Sequence, residues 1–307
     1  MAYNLVVLVK QVPDTQRVTG DAMRDDGTVN RSALPAIFNP EDLHALETAL
    51  RLREGRGGRV TVLTMGPPQA CEVLRASLER GADAAVLLTD RRAAASDTLA
   101  TSYILARAVR RVAADAPVDL VLCGRQAIDG DTAQVPPQTA EKLGWPQVTY
   151  VEEVEEVGDG RVRVRRNTGE GSERVEAPLP CLLTVTDQGP EPRPASAKRT
   201  MAVKKWKSRA EIESALRAEM PDADDETRTR EADARAAGLA ERGRLIPHWD
   251  LDDIEADLAW CGRDGSPTKV KRIQSVVLAG TGFKKVEPTE EGVAGMIHEL
   301  IEDHTIG

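Results

Sequence analysis

The strongest chemical signal in the sequence is Cys123-Gly124-Arg125-Gln126-Ala127-Ile128-Asp129-Gly130-Asp131-Thr132-Ala133-Gln134-Val135. It leaves an apolar run at residues 119–123 and enters a helical pattern. A loop at the carboxyl end of a parallel strand, feeding a helix N-terminus, is where α/β sheets bind phosphate. Its small residues let a ligand approach the backbone, while free N–H groups and Thr132 can hold a pyrophosphate. Asp129 and Asp131 are poor neighbours for phosphate, but either can cap the helix or accept from ribose or adenine. The spacing is neither a Walker loop nor G-x-G-x-x-G, so alone it marks only a nucleotide site.

Three other helix openings deserve the same reading. They are Phe38-Asn39-Pro40-Glu41-Asp42, Met65-Gly66-Pro67-Pro68 and Ser96-Asp97-Thr98. Each has a plainer explanation, with Asn39 and Ser96 as helix caps and Met65 as core filler. Jointly, four openings at one sheet edge favour a ligand. Side-chain catalysis has no comparable set: there is no G-x-S-x-G elbow, no H-E-x-x-H, and no histidine beside a nucleophile. The four histidines (His44, His248, His298, His304) lack the i, i+4 spacing of a helical zinc site. The chain reads as a ligand holder.

The elements that must position these residues alternate. Residues 5–12 (LVVLVKQV), 60–65 (VTVLTM), 84–89 (AAVLLT) and 119–123 (DLVLC) are continuous apolar runs, as in strands covered on both faces. Helical patterns at 40–53, 68–80 and 97–113 separate them, the first with Asn39 as N-cap and Gly55 past its end. This order predicts a doubly wound, mostly parallel α/β sheet of the adenine-nucleotide-binding type. Residues 148–157 and 161–166 form a predicted antiparallel hairpin around Gly158-Asp159-Gly160, where two-sided burial ends, and 181–186 is a further strand. A basic stretch follows Pro190, with no acidic residue from Pro192 to Ala210. Residues 211–243 read as a charged, solvated helical insertion with little core. A short strand at 270–277 and an amphipathic helix at 289–304, capped by Thr289, close the sequence.

Composition excludes several functions. The 307 residues suffice for a core without disulfides, and Cys71, Cys123, Cys181 and Cys261 form no C-x-x-C pair for zinc or iron–sulfur ligation. A net charge of −9 argues against non-specific nucleic-acid binding, and an aromatic content of 3% against base-stacking modules. No apolar run approaches the ~18–20 residues of a membrane span, and Met1-Ala2-Tyr3-Asn4 opens no signal peptide. These features predict a soluble cytoplasmic protein.

With those residues in view, the sequence resembles the beta subunit of electron transfer flavoproteins. The likeness rests on Val9-Lys10-Gln11-Val12-Pro13-Asp14-Thr15, Asn39-Pro40 with Ala45-Leu46-Glu47, Met65-Gly66-Pro67 and Gly81-Ala82-Asp83. It continues through residues 119–135, Gly144-Trp145-Pro146-Gln147-Val148-Thr149 and Leu179-Pro180. The resemblance implies a partner alpha subunit carrying FAD. In the ordinary branch the beta subunit holds AMP structurally; in the electron-bifurcating branch the same site holds a second FAD, which takes hydride from NADH. Nucleotide contacts carried over by resemblance fall on Leu8, Asn39, Pro40, Glu41, Asp42, Met65 and the loop Gly124 to Val135, above all Ala127, Asp129, Thr132 and Gln134.

AMP-binding members carry bulkier residues where this sequence has Gly130 and Ala133, and Ser96-Asp97-Thr98 likewise resembles the bifurcating branch. The resemblance therefore favours FAD, with AMP as the alternative and a stand-alone ATP-binding module as a third. It implies a nucleotide- or flavin-binding domain at residues 1–192, a basic docking loop and helix at 193–210, the charged insertion at 211–249, and a C-terminal segment at 250–307 packing on the alpha subunit. A dehydrogenase would dock near Pro192 to Lys205, with ferredoxin or flavodoxin as a low-potential acceptor. The family's bulky docking anchor falls on Ala197, and residues 211–243 exceed the family's expected length. Both departures imply an unusual electron partner.

Overall fold

Residues 2–14, 35–269 and 284–302 are described by the computed structural model. The strands are β1 (Tyr3–Leu8), β2 (Gln11–Pro13), β3 (Ala36–Phe38), β4 (Gly58–Met65), β5 (Ala84–Leu88), β6 (Leu120–Gly124) and β7 (Gln147–Gly158). They continue with β8 (Arg161–Asn167), β9 (Ser172–Pro178), β10 (Cys181–Val185), β11 (Lys207–Ser208), β12 (Leu245–Ile246) and β13 (His248–Trp249). The helices are α1 (Pro40–Arg56), α2 (Cys71–Arg80), α3 (Thr98–Asp115), α4 (Val135–Leu143), α5 (Ala197–Val203), α6 (Arg209–Glu219), α7 (Asp225–Ala240), α8 (Gly262–Gly265) and α9 (Glu290–Glu302).

The apolar runs become neighbours because none has a polar face to offer water. Nine strands form one sheet in the order β13-β5-β4-β1-β6-β10-β7-β8-β9, parallel from β13 to β7 and antiparallel through β8 and β9. Leu5, Val7, Val60, Val62, Leu120 and Leu122 pack under α1 and α2, while Val6, Leu63, Val121 and Leu182 pack under α3 and α4. Chain order proceeds from β1 to β4 on one side, then returns to β6 on the other. The carboxyl ends of β1 and β6 therefore flank the topological switch point, where such sheets open a crevice.

Several expectations change. The run at 5–12 divides into β1 and β2, because β2 leaves the main sheet to pair antiparallel with β3. Two-sided burial does not end at the hairpin: β10 inserts between β6 and β7 with all five residues buried. Asn39 and Ser96 do not cap helices. Asn39 makes no cap hydrogen bond, and Asp97 caps α3 by accepting from the Ala100 N–H. The first helix ends at Gly57, not Gly55. The stretch at 211–243 is a helical pair, α6 and α7, with a small core of its own in Ile212, Leu216, Ala232 and Ala236. The strand expected at 270–277 lies outside the described residues. Thr289 accepts from the Gly292 N–H at the start of α9, as its capping role requires.

Candidate nucleotide cleft

A buried polar knot forms the inner end of the cleft. Asn39, Glu41 and Asp42 open α1 and are 0%, 7% and 6% exposed, so their polar atoms must find partners inside the protein. Asp42 accepts from the backbone N–H of Lys10 (2.8 Å) and of Gly124 (2.9 Å), tying the ends of β1 and β6 together. Burial pushes its carboxyl up to about 7, against the lowering effect of Asn39 and these two backbone donors. Glu41 accepts from the Gln126 N–H (3.0 Å) and pairs with the Arg125 guanidinium (2.9 Å). Asn39 donates to the Gln126 carbonyl and accepts from the Ile128 N–H. Gly124 is the residue this knot requires, since a Cβ there would stand 2.5 Å from Asp42 Oδ1 and 2.9 Å from its backbone nitrogen.

Beyond Ile128 the loop changes character. Gly130 and Asp131 turn back on the Ala127 carbonyl, and Asp131 and Ala133 adopt left-handed φ values of 48° and 51°. The backbone N–H groups of Thr132, Ala133 and Gln134 have no acceptor among the described residues. A Cβ at Gly130 would meet nothing within 4 Å. Unspent donors leading into the N-terminus of α4, beside open space, suit a phosphate chain. Neither aspartate caps α4: Asp129 pairs with Lys10 at 2.7 Å, and Asp131 accepts from the Gln126 side chain.

These walls enclose a cleft of ≈ 1130 Å³. Leu8, Asp42, Met65, Ser96, Asp97 and Thr98 line it. So do Gly124, Gln126 and Ala127, and then every residue from Gly130 to Val135. Asn39, Pro40, Glu41, Arg125, Ile128 and Asp129 do not; they stand behind the lining and hold it. Although burial opposes it, N–H donation from Ala100 and Thr268 keeps the Asp97 carboxyl below its usual range. Thr98 donates to the Gln134 side chain at 2.9 Å, joining two of the four openings.

Sequence reasoning missed a second wall. Residues 89–95, Arg209, Glu213, Ser214 and Arg217 of α6, and His248 and Asp250 also line the cleft. No local spacing points to them. Arg75 of α2 holds α6 in place, meeting both carboxylate oxygens of Glu211 (3.1 and 2.9 Å) and the Trp206 carbonyl (2.8 Å). Glu211 also closes a capping box with Ser208. No group of metal-ligating side chains occurs among the described residues, and no described helix is long and apolar enough to cross a membrane.

A doubly wound sheet with a phosphate-suited loop at its switch point defines an α/β nucleotide-binding protein. Comparison with known proteins narrows this further. Residues 26–211 match the electron transfer flavoprotein domain. The electron transfer flavoprotein subunit beta of Clostridium acetobutylicum is 40% identical, covering 99% of this chain and 100% of its own. That of Megasphaera elsdenii is 41% identical over 97% of each. The caffeyl-CoA reductase-Etf complex subunit CarD of Acetobacterium woodii is 39% identical over 98% of this chain and 99% of its own. The chain belongs to the electron transfer flavoprotein family, among its beta subunits. The end-to-end clostridial match leaves no room for 211–243 as an insertion peculiar to this chain.

Proposed function

We propose that this chain is the beta half of a heterodimer with an electron transfer flavoprotein alpha subunit, and that its cleft holds FAD rather than AMP. The observation that carries this reading is the shape of the cleft beyond Ile128. Its ≈ 1130 Å³ exceed the ~300–1,000 Å³ of a typical small-ligand pocket, and Gly130 borders open space. A mononucleotide would leave much of that volume to water.

Bound there, FAD supplies the redox chemistry: hydride acceptance from NADH, followed by single-electron delivery to the alpha-subunit flavin and to an acceptor such as ferredoxin or flavodoxin. This chain's residues bind and orient. The N–H groups of Thr132, Ala133 and Gln134 face the phosphates, and the knot of Asn39, Glu41 and Asp42 fixes the loop that carries them. The basic segment from Pro192 to Lys205 is the docking surface for a dehydrogenase. Lys198, Arg199, Lys204 and Lys205 are exposed there, and no ion pair engages them among the described residues. Met201, one helical turn after Ala197, is 67% exposed and supplies the apolar area that Ala197 lacks. The CarD relative, named as part of a reductase–Etf complex, supports such an assembly. We place the heterodimer in the cytoplasm, with the apolar stripe of α9 (Val293, Met296, Ile297, Ile301) against the alpha subunit.

Anaerobic titration of the co-purified heterodimer with NADH tests the reading. Bleaching of flavin absorbance in the heterodimer, lost when Gly130→Asp and Ala133→Asn are combined, is the expected result. Full bleaching in that double variant would contradict it.

A further inference from the structure

Helix α6 is amphipathic in two directions. Ile212 and Leu216 face α7 and the small core, while Arg209, Glu213 and Arg217, at i, i+4 and i+8, line the cleft. The register of that second face is fixed by the bidentate contact between Arg75 and Glu211 and by the Ser208 capping box. A charged helix face held in one register against a cleft is a built wall rather than a solvated surface.

Most cations on the lining are already neutralised. Lys10 pairs with Asp129 (2.7 Å), Arg92 with Asp90 and Asp252 (2.6 and 2.7 Å), and Arg209 with Glu213 and Asp233 (2.6 and 2.8 Å). Arg91 and Arg217 line the same cleft from different elements, the short turn after β5 and α6, with no ion pair among the described residues. Both stand away from the loop at 124–135, whose own phosphate donors are backbone N–H groups.

We propose that Arg91 and Arg217 form a second anion subsite in the outer half of the cleft, which takes the diphosphate of the reduced pyridine dinucleotide donor. This rests on the reading above that the inner half holds a flavin nucleotide. Guanidinium groups suit the role because their planar forks bind phosphate oxygens in pairs and remain charged at any working pH. Two cations on separate walls bracket a diphosphate that neither would hold alone. The loop then serves the resident nucleotide and α6 serves the exchanging one.

The test uses the heterodimer as purified with its alpha subunit, and ADP-ribose as the probe. This fragment carries the donor's diphosphate but cannot transfer hydride, so binding is read by calorimetry without turnover. Arg217→Glu and Arg91→Glu should each weaken ADP-ribose binding about tenfold, the scale of one charge-assisted contact. Arg217→Lys should weaken it less, and the salt dependence of binding should fall in both Glu variants. Bound flavin and melting temperature should stay unchanged. Affinity equal to wild type in both Glu variants, with flavin retained, overturns the subsite while leaving the flavin reading intact. A wild-type heterodimer with AMP in this subunit and no affinity for ADP-ribose overturns both.

Discussion

The two ends of the cleft are held by different means. The inner end is a network of short-range choices at one sheet edge. The side chains that open α1 reach the ends of β1 and β6, and each buried polar group is spent on backbone. The outer wall depends on Arg75 and Glu211, 136 residues apart, with side chains 10% and 16% exposed. A distributed network should degrade gradually when one member is lost, whereas a wall hung on one ion pair should come away as a unit.

The largest expected effect is therefore at the outer wall. Arg75→Ala leaves Glu211 and the Trp206 carbonyl without their partner, a loss of about 3–5 kcal/mol of the kind seen when a buried pair is broken. Hydrogen exchange should rise across α6 and α7 while β1, β6 and α1 keep their protection. Uniform loss of protection would show that the two ends are one cooperative unit.

Asp42→Asn should cost less, about 1–3 kcal/mol, because one of the Lys10 and Gly124 N–H groups is left without an acceptor. It also carries a pH signature. The folded carboxyl titrates at about 7 and the free one at 3.8, burial being the main cause. Asp42's contribution is thus fully present below about 4 and lost as pH rises through about 7. Wild-type melting temperature should fall across that interval through this group, and the Asn variant should lose that component. An identical pH profile in the two proteins would contradict the assignment.

Gly130→Asp combined with Ala133→Asn should change global stability by no more than ~0.5 kcal/mol, as for surface substitutions clear of packing. Open space surrounds Gly130, and asparagine tolerates the left-handed backbone at Ala133. Nucleotide content in this subunit should nonetheless change from FAD to a smaller ligand. A fall in melting temperature matching the loss of flavin would make the effect structural. Smallest of all, Lys10→Gln removes an ion pair whose side chains are 48% and 24% exposed, and should cost under about 1 kcal/mol. A larger loss in denaturant melts would mean that Lys10 helps to fix the loop.

The inner end was largely legible in the sequence because its elements announce themselves locally. Unbroken apolar runs gave the parallel strands, and small residues after 119–123 gave the loop. What escaped is what distance decides. Asn39 has the look of an N-cap, yet its amide is drawn to a loop 87 residues away. Strand β9 (SERVEAP) lacks any apolar pattern, and its charges are matched only across the ribbon, where Arg174 meets Glu155 and Arg161 and Arg163 meet Glu176. The role of α6 was hidden for the same reason: its charged composition suits solvent, and only contact with α2 turns that face toward the cleft. Among the expected contact residues, Asn39, Glu41 and Arg125 prove to be supports standing behind the lining.

The central claim is the occupant of the cleft, and counting it is the most direct test. This chain should be co-expressed with its alpha subunit, the heterodimer denatured, and FAD and AMP quantified per dimer by chromatography. Two FAD and no AMP is the expected result. One FAD with one AMP would make this chain a structural nucleotide holder and contradict the account.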